Sequence, residues 1–222
     1  MDSADDIYVD ELGNNRITKW TPGATQGIIV AGNGISGSDS NEIGGGYAIW
    51  VDASQDVYIA DYLNSRITEW KPGANYGITI AGTGVVGYGL DQVSYPYGMV
   101  LDNAGDIYIS NSELSAVQEW IPGATQGIIV AGHNGSGSGL NQITGPGPLS
   151  LDKNNNLYIA DLQGYRVVKW ASGALQGTVV AGTGIDGTSL LNLHIPNALF
   201  VDTKGYIYVA DAWNYRVIRW AQ

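Results

Sequence analysis

The sequence predicts an all-β fold, a β-propeller built from four-stranded blades of fifty residues. Three observations carry that prediction. Tyr8, Tyr58, Tyr108, Tyr158 and Tyr208 recur at a constant spacing of fifty, and so do Trp20, Trp70, Trp120, Trp170 and Trp220. A period of that length marks a solenoid, a propeller or an array. Each full unit holds four short apolar runs separated by turn-forming residues, which reads as an antiparallel meander. The apolar stock, 44% of 222 residues, is mostly Ile, Val, Tyr and Trp with a single Phe, and 32 glycines serve the turns.

Run A covers residues 47–51, 97–101, 147–151 and 197–201. It is apolar on both faces, Ile49 and Val51 on one and Ala48 and Trp50 on the other, so it is the innermost strand. Asp52, Asp102, Asp152 and Asp202 open the connection to run B, where a carboxylate can accept from the backbone two residues on. Run B covers 57–60 in the second unit and run C covers 66–70. Run C carries a charge between apolar residues (Lys19, Glu69, Glu119, Lys169, Arg219), so it lies nearer solvent. Between C and D stands Trp-x-Pro-Gly-Ala, suited to a type II turn. Run D covers 77–81. Helical periodicity is absent, and Gly or Pro breaks every window long enough for a helix.

These runs predict a single propeller domain over residues 1–222. Its units are 1–46 (partial), 47–96, 97–146, 147–196 and 197–222 (partial). About five blades result, the first without its inner strand and the last without its outer one.

The net charge of −11 repels phosphate backbones and anionic lipid, which argues against nucleic acid and membrane surfaces as partners. There is no cysteine, so no disulfide, and no apolar run of transmembrane length. No secretory signal is recognisable at Met1.

The run "PYGMVLDNAGDIYIS" from Pro96 and the run "IADYLNSRITEW" from Ile59 resemble the NHL repeat. The resemblance covers essentially the whole chain. It implies a propeller, usually of six blades, with run A innermost. It implies no single activity, because the family includes protein-binding, RNA-binding and enzymatic members. The histidine of the family's name-giving motif is replaced here by Asn15, Ser65, Ser115, Tyr165 and Tyr215.

Comparing the copies within the chain gives two further expectations. Where Glu11, Asp61, Asp161 and Asp211 end run B, Arg16, Arg66, Arg166 and Arg216 open run C; where Asn111 replaces the acid, Ala116 replaces the Arg. Paired loss predicts structural salt bridges across the B–C hairpins, since a buried partner left alone is costly. The C–D turns barely vary, whereas the B–C tips and the D–A loops vary widely, which assigns partner contacts to that end of the blades. The candidates there are Tyr62, Leu63, Tyr88, Tyr95, His133, His194 and Trp213. The D–A loops also carry Asp39, Glu42, Asp91 and Asp186 with no Lys or Arg.

No catalytic constellation appears. With only two histidines and no cysteine a three-His zinc site is excluded. Asp102, Asn103, Gly105 and Asp106 loosely resemble part of a calcium loop but lack its later bidentate acid, and read as a turn. The expected function is therefore a non-catalytic scaffold without cofactor or metal, recognising a protein or peptide. One alternative is a propeller that binds or hydrolyses a small ligand or glycan, with calcium. Another is a self-associating fragment, pairing through its incomplete terminal blades.

Overall fold

Turn chemistry decides where each apolar run becomes a strand. The computed structural model describes residues 4–132 and 134–221. The first sheet is β1 (Ile7–Glu11), β2 (Arg16–Trp20) and β3 (Ile28–Ala31). The second is β4 (Gly46–Val51), β5 (Val57–Asp61), β6 (Arg66–Trp70) and β7 (Ile78–Ala81). The third is β8 (Met99–Leu101), β9 (Ile107–Asn111), β10 (Ala116–Trp120) and β11 (Ile128–Ala131). The fourth is β12 (Pro146–Leu151), β13 (Leu157–Asp161), β14 (Arg166–Trp170) and β15 (Thr178–Ala181). The fifth is β16 (Pro196–Val201), β17 (Ile207–Asp211) and β18 (Arg216–Trp220). Each is an antiparallel meander in chain order, one per repeat, and the fold is a five-bladed β-propeller. Among the described residues the first and fifth blades have three strands, as the sequence predicts.

The periodic Asp residues build the A–B turns. Asp52 Oδ1 accepts the N–H of Ser54 and of Asp56, both at 2.9 Å, and Asp102, Asp152 and Asp202 repeat the pattern. At the C–D corners Gly23, Gly73, Gly123 and Gly173 adopt left-handed φ of 73–79°, which completes the type II turn.

The strand limits differ from the sequence reading in three places. Run B extends to the acid at its end, because Asp61, Asp161 and Asp211 pair in register with Arg66, Arg166 and Arg216. Run D begins one residue later, because the Gly77 N–H leaves the ladder and donates to the Ser40 carbonyl at 2.7 Å. A Cβ on Gly77 would also lie 2.5 Å from Trp70 Nε1. Run A begins one residue earlier in three sheets but shrinks to three residues in β8. There Gly98 passes so close to the fourth sheet that a Cβ would sit 2.3 Å from the Gly147 carbonyl oxygen.

The chain divides into two compact units, Met1–Pro96 with Gly123–Gln126, and Tyr97–Pro122 with Gly127–Gln222. In the first, Ile17, Ala31 and Ile43 pack on Val57, Ile59 and Trp70 between the first and second sheets. In the other, one cluster joins Val100, Tyr108 and Val117 to Leu157, Ile159 and Trp170, and another joins Tyr158 and Val167 to Val201, Ile207 and Val209. These apolar clusters therefore lie between consecutive blades, which is how single-layer repeats bury their faces.

Candidate functional site

The ends of the B strands are built as loop clamps. Asp61 is fully buried and its Oδ2 accepts from Arg66 Nε at 2.8 Å. Its Oδ1 accepts the Gly44 N–H at 2.7 Å, and Asn64 Nδ2 reaches the same carboxylate. The remaining guanidinium donors go to the carbonyls of Ser38, Asp39 and Glu42. Arg166 holds Asp161 at 2.9 Å and the carbonyls of Ser138 and Gln142, and Arg216 holds Asp211 at 2.7 Å and the carbonyls of Thr188 and Asn192. Arg16 and Glu11 meet at 2.8 Å near the surface. Burial alone would raise the Asp211 carboxyl, but the His194 N–H, Asn214 and Arg216 outweigh it and hold it below the usual range. The clamps of Arg66, Arg166 and Arg216 thus each tie a D–A loop to a B–C hairpin.

On that frame two aromatic groups assemble. In the first unit Tyr62 lies between Tyr47 and Tyr95, with ring centroids 4.5 and 5.3 Å away. In the second, His194 stacks on Trp213 at 5.3 Å and meets the Tyr165 ring edge-on at 6.0 Å. His194 Nδ1 also lies 3.3 Å from Asp186 Oδ1. Trp213 is 64% exposed and Tyr88 71%, whereas Tyr62, Tyr95 and His194 are half-buried. Leu63, 63% exposed, flanks Gly45 beside Leu12. His133 lies outside the described residues.

The backbone beneath these side chains is unusual. Tyr95, Tyr165, Ile195 and Tyr215 all have left-handed φ of 50–56°. Bulky and β-branched residues pay for that conformation, and such strain concentrates at functional sites. Sequence reasoning missed Tyr47 and Tyr165. One signal was present for position 95, where the first copy has Gly45, itself at φ 91°.

The electrostatics of this loop end are acidic. The guanidinium groups of Arg66, Arg166 and Arg216 are consumed by carboxylates and carbonyls. Among the described residues no group of three or more His, Asp or Glu side chains is arranged to hold a metal ion. Asp102, taken from the calcium-like run, has its Oδ1 on two backbone N–H groups and its Oδ2 on Asn155 Nδ2 at 2.9 Å.

No protein-family model matches the chain, and no curated protein matches its sequence. Solved structures do match. A structural-genomics protein of unknown function from Bacteroides thetaiotaomicron aligns over 97% of this chain and 56% of its own, with 19% identity and a TM-score of 0.72. A chain of a nidogen–laminin complex aligns over 98% of this chain and 72% of its own, with 17% identity and a TM-score of 0.73. A gluconolactonase from Xanthomonas campestris aligns over 93% of this chain and 66% of its own, with 15% identity and a TM-score of 0.67. The chain spans just over half the length of the first of these. The likeness is one of fold.

Proposed function

We propose that this propeller, of the NHL-repeat type, is a non-catalytic scaffold that recognises a protein or peptide through the B–C and D–A loop ends of its blades. The observation that carries the reading is the mounting of aromatic side chains on strained backbone. Tyr95, Tyr165 and Tyr215 occupy left-handed positions that glycine or asparagine would fill at lower cost. Clamped loops hold the groups in place, so little ordering entropy remains to be lost on binding. Tyr and Trp are the side chains that most often anchor interfaces. The acidic loops, with their arginines already engaged, favour a basic partner. A propeller of the same fold takes part in the nidogen–laminin complex, which agrees with protein recognition.

The test is selection of peptides from a displayed library on the purified protein. Selected peptides are expected to be enriched in Lys and Arg. Tyr62→Ala and Trp213→Ala are each expected to weaken them about 10- to 30-fold while leaving the circular dichroism melt unchanged. Peptides that bind both variants as tightly as the parent would refute the proposed surface.

A further inference from the structure

The five copies differ in how the charge beside the periodic tyrosine is balanced. In the first blade Tyr8 faces Lys19 across the ladder, and Lys19 Nζ sits 5.5 Å from the Tyr8 ring centroid and 2.7 Å from Asp6. In the fourth, Tyr158 faces Lys169, whose Nζ sits 5.2 Å from the ring centroid and 3.6 Å from Asp152. In the second blade the facing residue is Glu69, and Lys71 supplies the cation, 2.8 Å from Glu69 and 2.6 Å from Asp56. In the third, Tyr108 faces Glu119, and the position of Lys71 is occupied by Ile121. Asp102 and Asp106 stand close by, and no Lys or Arg pairs with Glu119 among the described residues. Burial and then Asp102 push the Asp106 carboxyl above its ordinary range. A seat that other blades fill with a lysine ammonium is empty of cation here.

The same place is a cavity. Between the third and fourth sheets, within one compact unit, lies a cleft of about 370 Å³ lined by Glu119, Tyr108, Ile128, Leu157, Trp170 and Leu175. Its counterpart between the first and second sheets measures only about 110 Å³, and Lys71 and Pro72 stand in it. In the fourth copy those two residues are Ala171 and Ser172, which leaves the cleft open. Trp170 is independently unlike its equivalents. Trp20 and Trp70 donate Nε1–H to Thr18 and Thr68 and turn that edge of the indole to Gly27 and Gly77. With Val168 in place of the threonine, Trp170 turns its Cε3–Cζ3 edge to Gly177 instead. Its Nε1–H, on a side chain 1% exposed, has no acceptor among the described residues, a condition it shares with Trp120, so the orientation of the indole is what sets it apart. The wall of the cleft therefore contains a carboxylate that the Tyr108 side chain meets by a hydrogen bond but that no cation answers among the described residues.

We propose that this cleft binds an alkylammonium group, either a lysine side chain carried by a partner or a free alkylamine. Glu119 is the counter-ion, and the Tyr108 ring lies beside the charge as Tyr8 and Tyr158 do beside Lys19 and Lys169. Leu157, Trp170 and Ile128 form an apolar sleeve for the methylene stem. The site is at the C–D corner, apart from the loop end assigned to protein recognition, so the two readings stand or fall separately.

The experiment measures binding to the intact protein by ligand-observed NMR and calorimetry. The probes are Nα-acetyl-lysine methylamide, its Nε-acetylated neutral analogue and n-pentylamine. The charged lysine probe or the amine is expected to bind with a dissociation constant of about 1–10 mM, weakening with salt, and the neutral analogue at least tenfold more weakly. Binding of the lysine probe alone points to a protein-borne lysine, of pentylamine alone to a free amine, and of both to recognition of the headgroup and stem. Glu119→Gln is expected to lower affinity at least tenfold. Ile121→Lys, which restores the arrangement of Lys71, is expected to abolish binding and raise the melting temperature. Equal binding of the charged and neutral lysine probes, undiminished binding by Glu119→Gln, or no binding of either amine would overturn the proposal.

Discussion

Asp10 occupies a position that is Ala60, Ala160 and Ala210 in three other copies. Its side chain lies over Gly46, where a Cβ would come within 2.3 Å of Oδ2, and that oxygen is buried with no hydrogen-bond partner among the described residues. Loss of hydration raises its carboxyl to about 6. A carboxylate raised on folding opposes stability where it is ionised and ceases to do so once protonated in both states. Asp10→Ala is therefore expected to stabilise the protein by about 1–2 kcal/mol at pH 7, a figure reduced because the group is only half-buried. The gain should fade as pH drops from about 6 toward 4, through the interval between its folded and unfolded values. Thermal melts of both proteins at pH 7.5 and pH 4 measure this. An equal gain at both pH values would place the effect in packing rather than charge.

At the scale of the hairpin, the Arg–Asp pair of the fourth blade is the most deeply buried. Arg166 is 4% exposed and Asp161 is fully buried. Arg166→Ala should cost about 3–5 kcal/mol, because it strands a buried carboxylate and releases the carbonyls of Ser138 and Gln142. The third blade contains a natural solution without the charges, with Asn111 donating to Gln118 at 3.0 Å and Ala116 at the arginine position. Asp161→Asn with Arg166→Ala and Val168→Gln copies that arrangement and is expected to recover at least half of the loss. Urea denaturation of the two proteins checks the comparison. The pairing was legible in the sequence because acid and Arg disappear together at Asn111 and Ala116. The arginine's carbonyl partners were not, since a backbone acceptor leaves no trace in residue identity. The left-handed placement of Tyr165 and Tyr215 was hidden for a related reason: the equivalent positions hold Asn15, Ser65 and Ser115, not glycine.

Across the molecule, the fold was readable because each repeat reuses one register, so a single period fixes every strand. Burial is not so uniform. All five residues of β9 and of β13 are buried, whereas β1 and β18 alternate exposed and half-buried positions and none of their side chains is buried. Ile7, Tyr215 and Val217 are 50%, 96% and 71% exposed. β1 and β18 are also the strands of their sheets that pair on one side only where the homologous strands of the other sheets pair on both. Stability in a repeat protein is close to a sum of local and nearest-neighbour terms, so opening should begin where both are smallest. Amide exchange is expected to be slowest in β9, β10, β13 and β14, at the rate set by global unfolding. Exchange in β1 and β18 is expected to run at least about 100-fold faster, through local opening. Exchange monitored by mass spectrometry or NMR decides it. Uniform protection across all five sheets would mean that the blades unfold as one cooperative body and that the exposed terminal strands are secured by contacts their burial does not reveal.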